Sequence, residues 1–246
     1  MSADQRAAPA RPGRLYLIPS LLGASAPQAV LPQQGIDVAR RLTHFVVETP
    51  KLARQFLKAL APERPLQSLL FSELNEHTPA ERIEALLAPA LQGHDLGLLT
   101  DAGCPGVADP GAELVAAAHR AGVRVVPLVG PSALLLALMG SGLNGQAFAF
   151  HGYLPAKTGL RERALRALDD AVARSGVTQL FIETPYRNEA LLAAVLSTCR
   201  PATRLCVAID LSLPSEEIVS RRVGSWRELP PPVLLRRPAI FLLGRD

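Results

Sequence analysis

The chain is poor in the features that mark disulfide, metal and dinucleotide chemistry. Its three cysteines, Cys104, Cys199 and Cys206, form an odd set with no Cys-x-x-Cys spacing, which argues for a reducing compartment and against a zinc site. A cytoplasmic location is expected. The five histidines (His44, His77, His94, His119, His151) make no His-Glu-x-x-His or His-x-His pair, so no metal is expected. No Gly-x-Gly-x-x-Gly follows the first strand-like segment, "GRLYLIP" over residues 13–19, which counts against a nicotinamide or flavin dinucleotide fold. Residues 1–12 contain no apolar stretch of signal-peptide length and read as a disordered tail. Residues 125–150 lack Asp, Glu, Lys and Arg altogether. Pro127, Gly130-Pro131 and Gly140-Ser141-Gly142 nevertheless cut that run into pieces too short for a bilayer, and it reads as buried strand, helix and strand.

What is present suits a globular α/β protein. There are 246 residues, 48% of them hydrophobic, enough for one large domain or two of ordinary size. The net charge of +4 comes mostly from scattered arginines such as Arg40-Arg41, Arg221-Arg222 and Arg236-Arg237, which permit an anionic partner without requiring one.

The chain is organised around residues 96–139. An apolar run, residues 96–99, ends at Thr100-Asp101 and enters a loop holding Gly103, Pro105, Gly106, Pro110 and Gly111, the pattern of a strand running into a shaped loop. Asp109-Pro110 reads as N-cap and first helical position, residues 112–121 as a helix, and Gly122 as its stop. A strand over residues 123–129 then meets Gly130-Pro131-Ser132-Ala133 and a second helix. Both loops fall at carboxyl ends of strands, where parallel α/β sheets bind ligands. Glycine there lets backbone approach a ligand closely; the plainer reading is two tight strand-to-helix turns. Cys104, inside the first loop, reads as a small packing residue, because no base stands near it in sequence.

The other segments fill in the same architecture. Helices are expected over residues 36–42, 51–60 and 80–91, the last with Thr78-Pro79 as cap and Glu81 completing a capping box, and over the basic segment that follows Pro155. Short strands are expected over residues 45–47, 69–71, 147–153, 205–209 and 239–243, with a hairpin piece at 219–226. "FVVETPKLARQFLKAL" and "LFIETPYRNEALLAAVL" share strand, Glu-Thr-Pro and helix, which suggests two α/β halves. Thr49 and Thr184 can cap the helices that Pro50 and Pro185 begin. Glu48 and Glu183 read either as loop braces or as site carboxylates.

The segments "GRLYLIP", "LLTDAGCPGVADPGAELVAAAHRAGVRVVPLVGPSAL", "SGLNGQAFAFHGYLPAK" and "FIETPYR" resemble the tetrapyrrole methylase superfamily of S-adenosylmethionine-dependent methyltransferases. Within it, the chain is most similar to the branch that methylates a cytidine ribose 2'-hydroxyl in 16S ribosomal RNA. The resemblance implies two consecutive α/β/α domains, residues 13–128 and 129–246, with S-adenosylmethionine in the cleft between them, and a homodimer. It implies that Pro19, Thr100, Asp101, Ala102, Gly103, Pro105, Pro131, Ser132, Ala133, Tyr153, Glu183, Asp210, Pro238, Ala239 and Ile240 lie near the donor. It assigns no catalytic residue. Ribosomal RNA is the expected partner, and neither DNA nor a membrane is. The chain departs from that branch on the acceptor side: "LLGASAPQAV" replaces a Gly-Asn-Leu segment, Glu48-Thr49-Pro50-Lys51 replaces Glu-Asp-Thr-Arg, Arg236-Arg237-Pro238-Ala239 replaces a Lys-Gly-Glu segment, and the branch's additional C-terminal segment is absent. Three functions are therefore open: methylation of RNA ribose, methylation of a tetrapyrrole or other small molecule, and donor binding without turnover. A hydroxyl acceptor would need a proton acceptor, for which Glu48 and Glu183 are the candidates.

Overall fold

A computed structural model describes residues 11–245 and divides after Pro131 into two compact units. The tail expected over residues 1–12 falls outside the described residues up to residue 10.

The first unit runs β1 (Arg14–Ile18), α1 (Pro27–Val30), α2 (Gln33–Arg41), β2 (His44–Val47), α3 (Pro50–Leu60), β3 (Leu70–Glu73), α4 (Ala80–Ile83), α5 (Ala88–Leu91), β4 (Leu96–Leu99), α6 (Ala112–Arg120) and β5 (Arg124–Pro127). Its strands form one parallel sheet in the order β3-β2-β4-β1-β5. Both faces are covered. Tyr16, Ile18, Phe45, Val47 and Leu99 enter one apolar cluster, while Leu15, Val46, Leu96 and Leu98 enter another. A parallel sheet buried on two sides reads as short uninterrupted apolar runs, which is why these strands are visible in the sequence. Because all five strands point the same way, their carboxyl ends bring Pro19-Ser20, Glu48-Thr49 and Thr100-Asp101 to one edge.

The second unit runs α7 (Ala133–Ser141), β6 (Phe148–Tyr153), α8 (Thr158–Ser175), β7 (Thr178–Ile182), α9 (Asn188–Thr198), β8 (Arg204–Ile209), β9 (Glu217–Arg222), α10 (Val223–Glu228) and β10 (Ala239–Gly244). Its sheet is mixed, in the order β6-β7-β10-β8-β9. β6 pairs parallel with β7, and the remaining pairings are antiparallel. β6, β7 and β8 consequently end at the edge where β10 begins, which gathers Tyr153, Glu183, Asp210 and Pro238. Leu205, Val207 and Ile209 join the cluster with Leu165, Val172, Leu191, Val195 and Trp226, and α7 covers the opposite face of β8, β9 and β10.

Several local expectations are corrected. Residues 80–91 are two short α-helices separated by a 3₁₀ turn, Glu84–Leu87; Pro89 withholds an N–H from a continuous ladder. Pro79 occupies the cap position of α4 without a side-chain cap, and the Thr78 hydroxyl instead accepts the Asn75 N–H at 3.0 Å, so no capping box forms. α6 starts at Ala112 after Gly111 at φ +135°, which removes Asp109 from the cap. β9 ends at Arg222 and Trp226 lies in α10, so the hairpin with β8 is shorter than expected. The charge-free run is not wholly buried: Val129, Leu135 and Met139 are 76%, 52% and 80% exposed.

Candidate functional site

In the first unit the loop after β4 is held from both sides. The Ser20 N–H donates to the Gly103 carbonyl at 2.8 Å, and the Ser20 hydroxyl donates to the Thr100 carbonyl at 2.7 Å. Gly103 takes φ +72°, a left-handed conformation that favours glycine. The Asp101 carboxylate accepts the Thr49 N–H at 3.2 Å and the Thr49 hydroxyl at 2.8 Å, while Glu48 Oε2 accepts the Asp101 N–H at 3.2 Å. The Glu-Thr-Pro exit of β2 and the Thr-Asp exit of β4 are thus clasped together. Thr49 spends its hydroxyl on that clasp rather than on capping α3.

The clasp concentrates negative charge. Burial pushes the Glu48 carboxyl above its ordinary range, and the charges of Asp101 and Glu76 add to the effect. Asp109 rises further, to about 6, through burial first and then the charges of Glu48 and Asp101. Gathering anions in this way is unfavourable without a cation, and a group poised near 6 is suited to proton transfer. Asp109 was missed in the sequence because Asp-Pro before a helix reads as a cap. Among the described residues, no cluster of His, Cys, Asp and Glu suits a metal ion.

Cys104 is half-buried, and its thiol donates to the Pro131 carbonyl at 3.4 Å. Burial raises the thiol pKa, with Asp109 adding to the rise, which is the opposite of what an activated nucleophile needs. Cys104→Ala is expected to retain methyl transfer and to change stability by no more than about 1 kcal/mol; a large loss of turnover in a radiolabelled methyl assay would contradict the packing role.

In the second unit, Glu183 is 5% exposed. Its Oε1 accepts the Thr184 N–H at 2.7 Å, the Thr184 hydroxyl at 3.2 Å and Arg187 Nη2 at 2.6 Å. Glu183 Oε2 is buried with no partner, as are Asn188 Oδ1 and Arg187 Nε. Buried polar atoms are nearly always paired in folded proteins, so two acceptors and a donor left open on neighbouring residues are what a polar ligand would satisfy. Thr184 braces Glu183 and does not cap through its side chain.

Asp210 takes φ +48°. Its Oδ2 accepts Arg237 Nε at 2.7 Å and the Ser215 hydroxyl at 2.8 Å, and its N–H donates to the Pro238 carbonyl at 3.0 Å. These contacts make Asp210 a brace that joins the exit of β8 to the entry of β10. Ala239 and Ile240 are buried strand residues paired with Ile209 and Ala208. Ser132 stands at the N-terminus of α7 without a side-chain cap, Ala133 begins that helix, and Tyr153 follows a register shift that Gly152 makes at φ +62°. The expected site residues therefore fall at one strand edge of each unit: Pro19, Thr100, Asp101, Ala102, Gly103, Pro105 and Pro131 in the first, and Tyr153, Glu183, Asp210 and Pro238 in the second.

Two α/β units with built loops at these strand edges define a two-domain methyltransferase fold. The family model for tetrapyrrole (corrin/porphyrin) methylases matches residues 23–226, and the chain belongs to that family, whose methyl donor is S-adenosylmethionine. Relatives named ribosomal RNA small subunit methyltransferase I include those of Escherichia coli O157:H7, 31% identical over 86% of this chain and 70% of the relative, and of Xylella fastidiosa, 39% identical over 72% and 60%. The relative of that name from Micromonospora olivasterospora is 35% identical over 86% and 64%. The chain thus spans between 60% and 70% of the length of these three relatives. Among solved structures, the methyltransferase CobJ superposes with a TM-score of 0.61 at 19% identity over 95% of both chains. Uroporphyrin-III C-methyltransferase of Thermus thermophilus, complexed with S-adenosylhomocysteine, superposes at 0.52 and 23% identity over 94% of this chain and 97% of that one. At these identities the structures speak for the fold alone.

The residues present fit the donor. A sulfonium is a cation, and Glu48, Asp101 and Asp109 supply a negative field in the first unit. The open atoms of Glu183, Arg187 and Asn188 suit its amino, carboxylate and adenine groups. No helix among the described residues is long and apolar enough to cross a membrane.

Proposed function

We propose that the protein transfers a methyl group from S-adenosylmethionine to a ribose 2'-hydroxyl of ribosomal RNA. The observation that carries this reading is the similarity of 31–39% to relatives named for small-subunit ribosomal RNA methylation. The abundance of arginine agrees with a polyanionic acceptor. The residues assigned to the donor are Pro19, the loop from Thr100 to Pro105 (with Asp101, Ala102 and Gly103), Pro131, Ser132, Ala133, Tyr153, Glu183, Asp210, Pro238, Ala239 and Ile240.

When bound, S-adenosylmethionine supplies an electrophilic methyl carbon, so the chain's work is orientation and proton removal. The carboxylate pair Glu48 and Asp109 accepts the hydroxyl proton. Their raised pKa values make them stronger bases than an ordinary carboxylate, whereas Glu183 is tied to Arg187. The protein acts in the cytoplasm, in keeping with free thiols at Cys104, Cys199 and Cys206. It works as a homodimer, which the exposed Leu135 and Met139, one turn apart on α7, support; sedimentation at micromolar concentration should give twice the chain mass.

The first test is donor binding. S-adenosylmethionine and S-adenosylhomocysteine at about a hundred times their Kd should stabilise the fold by about 2.7 kcal/mol, a rise of several degrees in melting temperature, while NAD and ATP leave it unchanged. Methylation of unmethylated small ribosomal subunits, with ribonuclease protection locating the product on ribose, then tests the acceptor. Turnover only with a tetrapyrrole, or donor uptake with no methylated product, would replace this reading by one of the two others.

A further inference from the structure

We propose that Tyr186 is a stacking residue for a nucleobase of the RNA acceptor, an assignment that rests on the ribosomal RNA reading above. The chain has three tyrosines. Tyr16 is buried at 3% exposure, whereas Tyr153 and Tyr186 are 58% and 68% exposed. The two exposed rings share one edge of the second unit. β6 runs parallel to β7 with Tyr153 opposite Ile182, and Tyr186 follows in the turn that leaves β7. Aromatic surface left in water at the exits of neighbouring strands forgoes the gain of burial, and a planar partner would supply it.

The local sequence holds Tyr186 at the surface. Pro185 fixes the first backbone angle of a 3₁₀ turn, Pro185–Arg187, and the Arg187 N–H donates to the Thr184 carbonyl at 2.8 Å. On one side of Tyr186, Arg187 Nη2 donates to Glu183 Oε1 at 2.6 Å. Beyond it, the fully buried Asn188 donates from Nδ2 to the Arg237 carbonyl at 2.7 Å. A turn pinned in this way presents its ring without paying for order at the moment of binding.

The ring is also backed by a cation. The Arg187 guanidinium carbon lies 5.5 Å from the Tyr186 ring centroid, and Glu183 fixes that guanidinium. Arginine thus takes one face of the ring, and the exposure of the residue leaves the other to solvent. Unpaired bases of single-stranded RNA stack on surfaces of this kind. Every base has a flat face, so Tyr186 contributes affinity and orientation but no choice of sequence.

Exposure decides between the two flat groups that the reaction brings together, the adenine of the donor and a base of the acceptor. A small ligand is enclosed over most of its surface in its pocket, and a ring 68% exposed offers no such enclosure. A polymer delivers its base from solvent.

Tyr186→Ala in the full chain, with Tyr186→Phe beside it, tests the assignment. The probes are a short oligocytidine RNA, an abasic ribose-phosphate oligomer of the same length, and unmethylated small ribosomal subunits. The wild type should bind the oligocytidine more tightly than the abasic oligomer. Tyr186→Ala should weaken the first about tenfold and leave the second unchanged. The slope of log K against log salt should not move, because no phosphate contact is lost. KM for ribosomal subunits should rise about tenfold, while S-adenosylmethionine affinity stays within about twofold. Tyr186→Phe keeps the ring and should keep wild-type values throughout, which separates stacking from the phenol oxygen.

If the wild type methylates ribosomal subunits and Tyr186→Ala matches it in KM and in its preference for bases over bare backbone, the ring is no acceptor contact and the ribosomal reading stands without it. If S-adenosylmethionine affinity falls about tenfold and the base preference persists, Tyr186 serves the donor and the assignment falls. If Tyr186→Ala sediments at half the wild-type mass, the ring is a contact between copies of the chain, and the assignment falls as well. If the wild type takes up S-adenosylmethionine yet neither binds nor methylates RNA, the ribosomal reading falls and this proposal with it.

Discussion

Asp109→Asn is expected to lower the rate of methyl transfer at saturating donor by about 10²–10⁴-fold, the usual contribution of a positioned general base. Asp109 sits beside Glu48 and Asp101, and its pKa of about 6 comes chiefly from burial and then from those two charges. In the wild type the rate should rise with pH through about 6 as the pair loses its proton, and then level off. In the variant that rise should shift towards the range of Glu48 alone.

The same substitution should make the protein more stable at neutral pH. The folded chain holds the Asp109 proton more tightly than an unfolded chain, whose carboxyl has the ordinary value of 3.8. Folding is therefore favoured by this group at low pH. That advantage fades as pH rises from about 4 to about 6, and above 6 the charged form carries the full penalty. The interval of about two pKa units sets an upper bound near 3 kcal/mol; partial exposure reduces it to about 1–2 kcal/mol. Asparagine removes the charge, so the urea midpoint at pH 7 should rise and its dependence on pH between 4 and 6 should flatten. A variant that is stabilised and inactive would mark a functional carboxylate held against its own stability. If Asp109→Asn and Glu48→Gln both transfer methyl at the wild-type rate, the proton acceptor lies elsewhere.

The physics separates what the sequence reveals from what it hides. Strands such as Leu96–Leu99 and Arg204–Ile209 were visible because burial on both faces leaves short apolar runs bounded by turn residues. The two Glu-Thr-Pro exits were visible as motifs. Their contacts were not, because the clasp between Thr49 and Asp101 spans 52 residues and exists only because β2 and β4 are neighbours in the sheet. Local capping rules placed Asp109 on a helix; Gly111 at φ +135° turns the chain first and leaves the carboxylate with Glu48. Likewise the pairing of Arg204 with Arg222 depends on hairpin register, which neither strand specifies alone.

Gly130→Ala should show a second way in which a glycine supports the site. In the sequence, Gly130 reads as a place where backbone approaches a ligand. In the structure its missing side chain is filled from within the first unit: a Cβ there would lie 2.3 Å from Pro19 Cβ and 2.6 Å from Pro19 Cγ. A proline ring cannot rotate out of the way as a leucine side chain can. Either the Pro19 turn or the segment leading to Pro131 must move, and Pro131 accepts the Cys104 thiol while the neighbouring Ser20 holds both Thr100 and Gly103. Overpacking of this kind typically destabilises by about 1–3 kcal/mol, which should lower the urea midpoint. Because the displaced groups are those proposed to hold the donor, S-adenosylmethionine affinity should fall about tenfold or more with the loss. Gly122→Ala makes the control: Gly122 has nothing within 4 Å of its Cβ position but takes φ +69°, so alanine there should cost about 1 kcal/mol by backbone strain and leave donor affinity unchanged. Equal donor affinity in both variants would mean that the close contact between Gly130 and Pro19 serves packing only, and that the donor is held without the first strand's exit.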